Sequence, residues 1–305
     1  MTHADWLWIP VTVWAAFAQT LRNVAQKQLT AQLGTLGATL VRFLYGLPFA
    51  LAWLALVMAY TGEPLPAPNP GFAAWLTLGA LGQIVATALL LAAMAERNFT
   101  LGVAYSKTEI IQVALFGFVF LGDALTAAGG FAVACGTLGV LLMSPADRER
   151  PIRTLLAGWT ARPALLGLAS GAGFALSAVG FRGAALALDG ASFMIAAAFT
   201  LVCAQTLQTA VLGGWLLARA PQTVARVLRA WRASLLAGFM GAAASAGWFT
   251  AMAIEPVAHV RTLGLVELLF SSAISRRLFK ERLTGTEITG LALLVLGVAL
   301  VALVR

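Results

Sequence analysis

Charge is what this sequence lacks most. Asp, Glu, Lys and Arg make up 10% of its 305 residues, where a soluble chain usually carries about 25%. So few charges cannot cover a surface facing water, and lipid must be the solvent over much of the molecule. Histidine is nearly missing, with only His3 and His259 present. There is no His-Glu-x-x-His run, no acidic cluster and no Gly-x-Ser-x-Gly turn, which argues against a zinc or serine hydrolase. No catalytic residues, no metal site and no cofactor are expected. Cys135 and Cys203 both sit inside apolar runs, so no disulfide framework is available. The first apolar run ends in Arg22-Asn23-Val24-Ala25-Gln26-Lys27 rather than at small cleavage-site residues, and no basic stretch precedes it. It is expected to be a retained span rather than a signal peptide.

What remains is long, apolar and unalternating. Hydrophobic residues make up 60% of the chain, and mean hydropathy is +0.88. A helix needs roughly 20 apolar residues to cross a ~30 Å hydrocarbon core. Only helices or closed barrels satisfy the backbone there, and the dyad pattern of barrel strands is absent. The expectation is an all-α integral membrane protein with ten transmembrane helices, over 6–29, 36–60, 71–95, 99–121, 124–144, 163–186, 191–218, 233–254, 257–279 and 284–304. Proline-rich punctuation at Glu63-Pro64-Leu65-Pro66-Ala67-Pro68-Asn69-Pro70 separates the second and third. The polar stretch 146–162 divides the chain into halves 1–145 and 163–305.

The net charge of +8 and pI near 10.5 are read as a topology signal, not as nucleic-acid affinity. With ten spans, alternate loops on one side collect Lys27, Arg97, Arg148, Arg150, Arg153, Arg162, Arg219, Arg226, Arg229, Arg232, Arg276, Arg277, Lys280 and Arg282. The other side holds Arg305 alone. Cations are retained in the cytoplasm, so both termini are expected on the non-cytoplasmic side. The excess of Arg over Lys hints at a GC-rich bacterial genome, and hence at a bacterial cytoplasmic (inner) membrane.

The halves resemble each other. At an offset of 158, Glu109 falls on Glu267, and Asp123-Ala124-Leu125-Thr126 on Glu281-Arg282-Leu283-Thr284. Arg22 and Arg182 take similar places at an offset of 160. Five spans per half is an odd number, so the second copy must enter the membrane from the opposite face. Inverted repeats around a midplane site are a recurring transporter device.

Phe120-Leu121-Gly122-Asp123-Ala124-Leu125-Thr126 and Leu278-Phe279-Lys280-Glu281-Arg282-Leu283-Thr284 each stand between the fourth and fifth span of a half. In this the chain resembles the drug/metabolite transporter superfamily and its EamA-type repeat, whose turn commonly reads Leu-Gly-Glu-x-Leu-Thr. Asp123 and Lys280 depart from that pattern. Trp6-Leu7-Trp8-Ile9-Pro10 and Ala104-Tyr105-Ser106-Lys107-Thr108-Glu109 are similar to YddG-like members, which export aromatic and other amino acids. The resemblance implies two inverted five-helix repeats around a central cavity lined by the first four spans of each half.

Ionisable groups inside spans cost ~2.5–3.5 kcal/mol on insertion scales, so each needs a wet cavity or a partner. Tyr105, Glu109, Gln112 and Phe116 share one helix face at i, i+4 and i+7 spacing. The carboxylate, amide and rings there suit an ammonium group with an apolar side chain, or else form a structural clamp. Lys107 points to a different side. Glu267 is the second midspan carboxylate. Arg261 could attract a carboxylate or snorkel to an interface. Trp14 and Gln19 in the first span and Trp248 in the eighth complete the candidate substrate-binding set, which includes Lys107; the amides of Gln19 and Asn23, four apart, could instead bond across helices for packing alone. Arg22 and Arg182 are read as snorkelling anchors or as paired gate charges. The expected partners are membrane lipid and a small-molecule substrate, most simply an amino acid moved by alternating access. A monomer is compatible with the sequence, which sets no oligomeric state. An intramembrane enzyme and a scaffold or channel subunit are the competing classes.

Overall fold

The architecture comes from a computed structural model that describes residues 6–96, 106, 109–122 and 162–279, with isolated positions within 127–138 and 285–296. No strand occurs among the described residues, and the chain is an all-α multi-pass membrane protein. Ten elements follow in order. They are α1 (Trp8–Leu44), α2 (Leu47–Thr61), α3 (Pro70–Glu96), α4 (Glu109–Phe116, extended by a π turn over Gly117–Leu121) and α5 (Arg162–Leu186). Then come α6 (Phe193–Arg219), α7 (Pro221–Arg229), α8 (Trp231–Ile254), α9 (Val257–Leu263) and α10 (Val266–Phe279). Among the described residues, five stretches are long and apolar enough to cross a membrane. Their outward faces carry Leu56 at 61% exposure, Val85 at 53% and Leu236 at 56%, which only lipid would solvate favourably.

The first of those stretches, Trp8–Thr61, makes two passes. Gly34 takes φ 72° and ψ 170°, a backbone region essentially restricted to glycine, and the chain reverses there. Gln26 Nε2 donates to the Ala38 carbonyl at 2.8 Å, although twelve residues of straight helix would separate them by ~18 Å. The would-be Cβ of Gly241 lies 3.5 Å from Arg22 and 3.3 Å from Arg42, so these two residues also share a level. Facing positions therefore sum to 64, as in an antiparallel hairpin. Each arm has roughly 26 residues, ~39 Å at 1.5 Å per residue, enough to span.

Contacts at the ends fix the direction of six passes. Asn69 Nδ2 donates to the Ala187 carbonyl at 2.6 Å, and the Ser192 amide donates to Glu63 at 3.0 Å. Arg182 donates to the Met252 and Glu255 carbonyls. One end thus gathers the start of α1, the end of α2, the start of α3, the end of α5, the start of α6 and the end of α8. It displays Glu63, Asp189 and Glu255. The opposite end holds the Gly34 corner, α7 and the basic residues Arg219, Arg226, Arg229 and Arg232. There Gly37 packs on Thr223 and Val227.

The expected seventh-to-eighth loop contains a helix that the hydropathy breaks do not mark. Pro221 opens α7, Val224 and Val227 are buried, and Arg226 and Arg229 occupy its last turn, where the helix dipole favours cations. The expected ninth span, 257–279, is also not continuous. It breaks at Gly264-Leu265 into α9 and α10.

Glycine sets the closest packing. The most extensive helix contacts are α3 with α5 and α1 with α8. A Cβ on Gly180 would lie 2.7 Å from the Gly79 nitrogen, and one on Gly247 would lie 2.8 Å from the Ala15 Cβ. Such backbone proximity is how helices gain dispersion contact in lipid, where no hydrophobic force separates helix from solvent.

Candidate functional site

Polar side chains meet at mid-depth in this apolar bundle. Glu267, 1% exposed, stands in the first turn of α10, where amide dipoles favour a carboxylate. The turn at Gly264-Leu265 places it. Gln19 Nε2 donates to one of its oxygens at 2.7 Å and Asn23 Nδ2 to the other at 2.9 Å. Gln19 and Asn23 lie four apart on α1, hence on one face. Gln19 also accepts from the Trp248 indole at 2.9 Å, and Arg22 donates to Asn23 at 2.6 Å.

Arg261 on α9 is 7% exposed and faces Glu109 of α4 with its Nη1 3.5 Å from the carboxylate. Its guanidinium carbon lies 4.8 Å from the Trp248 ring centroid, a cation–π distance. Arg42 on the returning arm of α1 is 2% exposed. It donates to Thr87 Oγ1 at 2.9 Å and to Ser245 Oγ at 3.4 Å. Among the described residues the centre thus holds three buried arginines (22, 42 and 261) and two buried carboxylates (109 and 267).

These groups border two small chambers, each of about 10 Å³. That is room for about one water, so the centre is closed. One chamber is lined by Gln19, Asn23, Ser106, Glu109 and Glu267 with Leu90 and Phe174. The other is lined by Arg42, Gln83, Ser177 and Ser245 with Phe181, Trp248, Phe249 and Met252. Gln19, Phe174 and Arg261 belong to both. Carboxylates lie on one side of this partition and Arg42 on the other.

A far larger cavity, about 570 Å³, lies elsewhere. It is an open groove between the two passes of Trp8–Thr61, floored by α8 and lined by Val11, Trp14, Phe49, Trp53 and Phe239, with Thr250 the one polar side chain. A site for a polar solute needs convergent polar groups, so the chemistry belongs to the closed centre and the groove to lipid.

Placement of the expected site residues divides accordingly. Glu109, Glu267, Gln19, Trp248 and Arg261 all reach the centre. Trp14 does not: it is 49% exposed in the lipid-facing groove. Five residues of helix turn it ~140° from Gln19. Gln112 is half-buried one turn beyond Glu109, with no partner for its Oε1, and borders neither chamber. Tyr105 and Lys107 lie outside the described residues, as do Asp123 to Thr126 and Lys280 to Thr284.

Arg22 is not an interfacial anchor. At 1% exposure it is at the centre, because the hairpin folds its arm inward over α8. Arg182 instead holds carbonyls at the end of α8, so the two do not form a matched gate. Nor does Arg261 snorkel. His259 contacts Glu255 at 2.7 Å, away from both chambers. Sequence reasoning missed Arg42, Thr87, Ser245 and Gln83. The signal was present for Arg42, since an in-span charge marks a function by default.

No protein-family model matches the chain, and no curated protein matches it. A solved structure known only as "Crystal structure of protein" aligns with 97% of this chain and 96% of its own, at a TM-score of 0.64 and 14% identity. At that identity the likeness concerns the fold alone, and it runs over nearly the full length of both chains.

Proposed function

We propose that this chain is a transporter of small amphipathic metabolites, amino acids first among them, working by alternating access. The observation that carries the reading is a closed mid-membrane centre with carboxylates on one side and a guanidinium on the other. A zwitterion presents the matching pair of charges. An amino acid cannot enter chambers with room for about one water, so binding requires the surrounding helices to part, as transport does.

The architecture proposed is two inverted five-span repeats. Three element pairs support it. The first arm of α1 runs opposite to α5, the second arm with α2 runs opposite to α6, and α3 runs opposite to α8. The two tightest interfaces, α1 with α8 and α3 with α5, exchange when the halves are exchanged. The basic end fits the cytoplasm and the acidic end the outside, which puts residue 6 on the non-cytoplasmic face of a bacterial inner membrane.

The test is counterflow in proteoliposomes. Vesicles preloaded with unlabelled amino acids should accumulate the labelled compound, and an enzyme or scaffold would show no exchange. Absence of flux across a panel of amino acids, drugs and nucleotide metabolites refutes the reading.

A further inference from the structure

Arg42 differs from the other central arginines. Arg261 faces Glu109 at 3.5 Å, and Arg22 donates to Asn23, which in turn donates to Glu267. Beside Arg42 stand cations of its own sign: Arg22 shares its level at Gly241, and Arg261 lines the same chamber. Its direct partners are the hydroxyls of Thr87 and Ser245. A fully buried cation is held at a large desolvation cost unless paired, and among the described residues two hydroxyls and the Phe43 ring, 5.5 Å from the guanidinium carbon to its centroid, are what face it. Its Nε has no partner, and neither does the Ser177 hydroxyl on the same chamber wall. Ser177 is 1% exposed.

We infer that the chamber bordered by Arg42, Ser177, Ser245 and Gln83 is an anion subsite, and that the transported molecule must present a carboxylate to it. The inference rests on the transport reading and adds a demand on the substrate. Guanidinium and hydroxyl donors converge from α1, α5 and α8, and among the described residues no carboxylate lines this chamber. Phe181, Trp248 and Phe249 give it an aromatic wall, so the group attached to the carboxylate is apolar. The ammonium of an amino acid would fall in the neighbouring chamber with Glu109 and Glu267. Recognition of the carboxylate is therefore the stricter requirement: removing the ammonium leaves Arg42 satisfied, whereas masking the carboxylate leaves its charge buried and unpaired.

Three probes separate these groups: L-phenylalanine, 3-phenylpropionate (carboxylate without ammonium) and L-phenylalaninamide (ammonium without carboxylate). Thermal unfolding of the purified protein in detergent should shift upward with the first two at millimolar concentration and not with the third. Arg42→Gln should abolish both shifts, and Arg42→Lys should restore part of them. If Arg42→Gln folds poorly, Ser245→Ala should lower the apparent affinity for phenylalanine and for 3-phenylpropionate several-fold. Stabilisation by the amide equal to that by phenylalanine overturns the subsite. So do an undiminished response in Arg42→Gln and a failure of all three probes to stabilise the wild type. Stabilisation without counterflow would count against transport and leave the subsite standing, whereas flux indifferent to a blocked carboxylate would do the reverse.

Discussion

Replacing Glu109 by Gln should damage the folded state far more than replacing its partner Arg261 by Gln. At 3.5 Å and an effective dielectric of 20, the pair's gross attraction is about 5 kcal/mol. Removing one member of a buried pair typically costs ~3–5 kcal/mol, because the other charge stays buried without compensation. Glu109→Gln leaves three buried arginines against the single carboxylate of Glu267, so the full ~3–5 kcal/mol is expected. Arg261→Gln loses stacking on Trp248, worth ~2 kcal/mol when desolvated. It also removes a cation from an arginine-rich cluster, leaving two arginines and two carboxylates. Its net cost should therefore stay within about 2 kcal/mol. The double variant should cost little more than Arg261→Gln, so the coupling energy should approach the full Glu109→Gln cost, ~3–5 kcal/mol. Equilibrium unfolding of the purified protein in SDS titrations, followed by tryptophan fluorescence and by loss of helix, measures all four corners of the cycle. An Arg261→Gln cost equal to or above that of Glu109→Gln would refute the charge accounting. Strict additivity would show that the ion pair is not formed in the folded state.

Two further outcomes test the packing. Gly180→Ala places a Cβ 2.7 Å from the backbone nitrogen of Gly79 and should cost ~1–3 kcal/mol through overpacking. Gly214→Ala meets nothing within 4 Å and should gain up to ~1 kcal/mol from helix propensity, so equal melting temperatures would count against the close backbone approach of α3 and α5. At the hairpin corner, Gly34→Ala meets no neighbour within 4 Å, so any loss comes from the backbone alone. About 1–3 kcal/mol is expected. Asparagine should do no better, because ψ 170° lies outside the left-handed helical region it tolerates, and a neutral alanine variant would place the reversal elsewhere.

Much of the fold is legible in the sequence because lipid imposes a simple rule, that a spanning segment be long and apolar. The reversal near Gly34 falls between the first two expected spans. The break at Gly264-Leu265 is not legible, since an apolar glycine–leucine pair looks like continuous helix to any hydropathy window. Helix α7 is short and polar on average, and only its valines three apart betray it. In the site, polar residues inside spans were a sound guide: Gln19, Glu109, Arg261 and Glu267 all converge. Depth along a span was a poor guide to side-chain fate. Arg22 lies toward one end of the expected span 6–29 but near the middle of the observed arm, which runs on to the Gly34 corner, and packing over α8 leaves it 1% exposed. Trp14 fails for the same reason in reverse.

On the proposed transport reading, which helices part to admit a substrate follows from where the backbone is sealed. Glycine contacts lock α1 to α8 and α3 to α5, and separating either pair would expose tightly matched surfaces. Rocking one pair against the other costs less, because the contacts crossing between them are few and mostly of side chains. Phe181 of α5 stacks on Phe249 of α8 at 4.4 Å, on a chamber wall. Arg42 of the first pair donates to Thr87 of the second at 2.9 Å, whereas its bond to Ser245 stays within its own pair. Movement between the pairs therefore strips Thr87 from Arg42 while leaving Ser245 in place. The vacated donor would be available to a carboxylate as the chamber widens. On this argument closure without substrate restores a hydroxyl partner to a cation that needs one, and a substrate's anionic group replaces that hydroxyl in the open state.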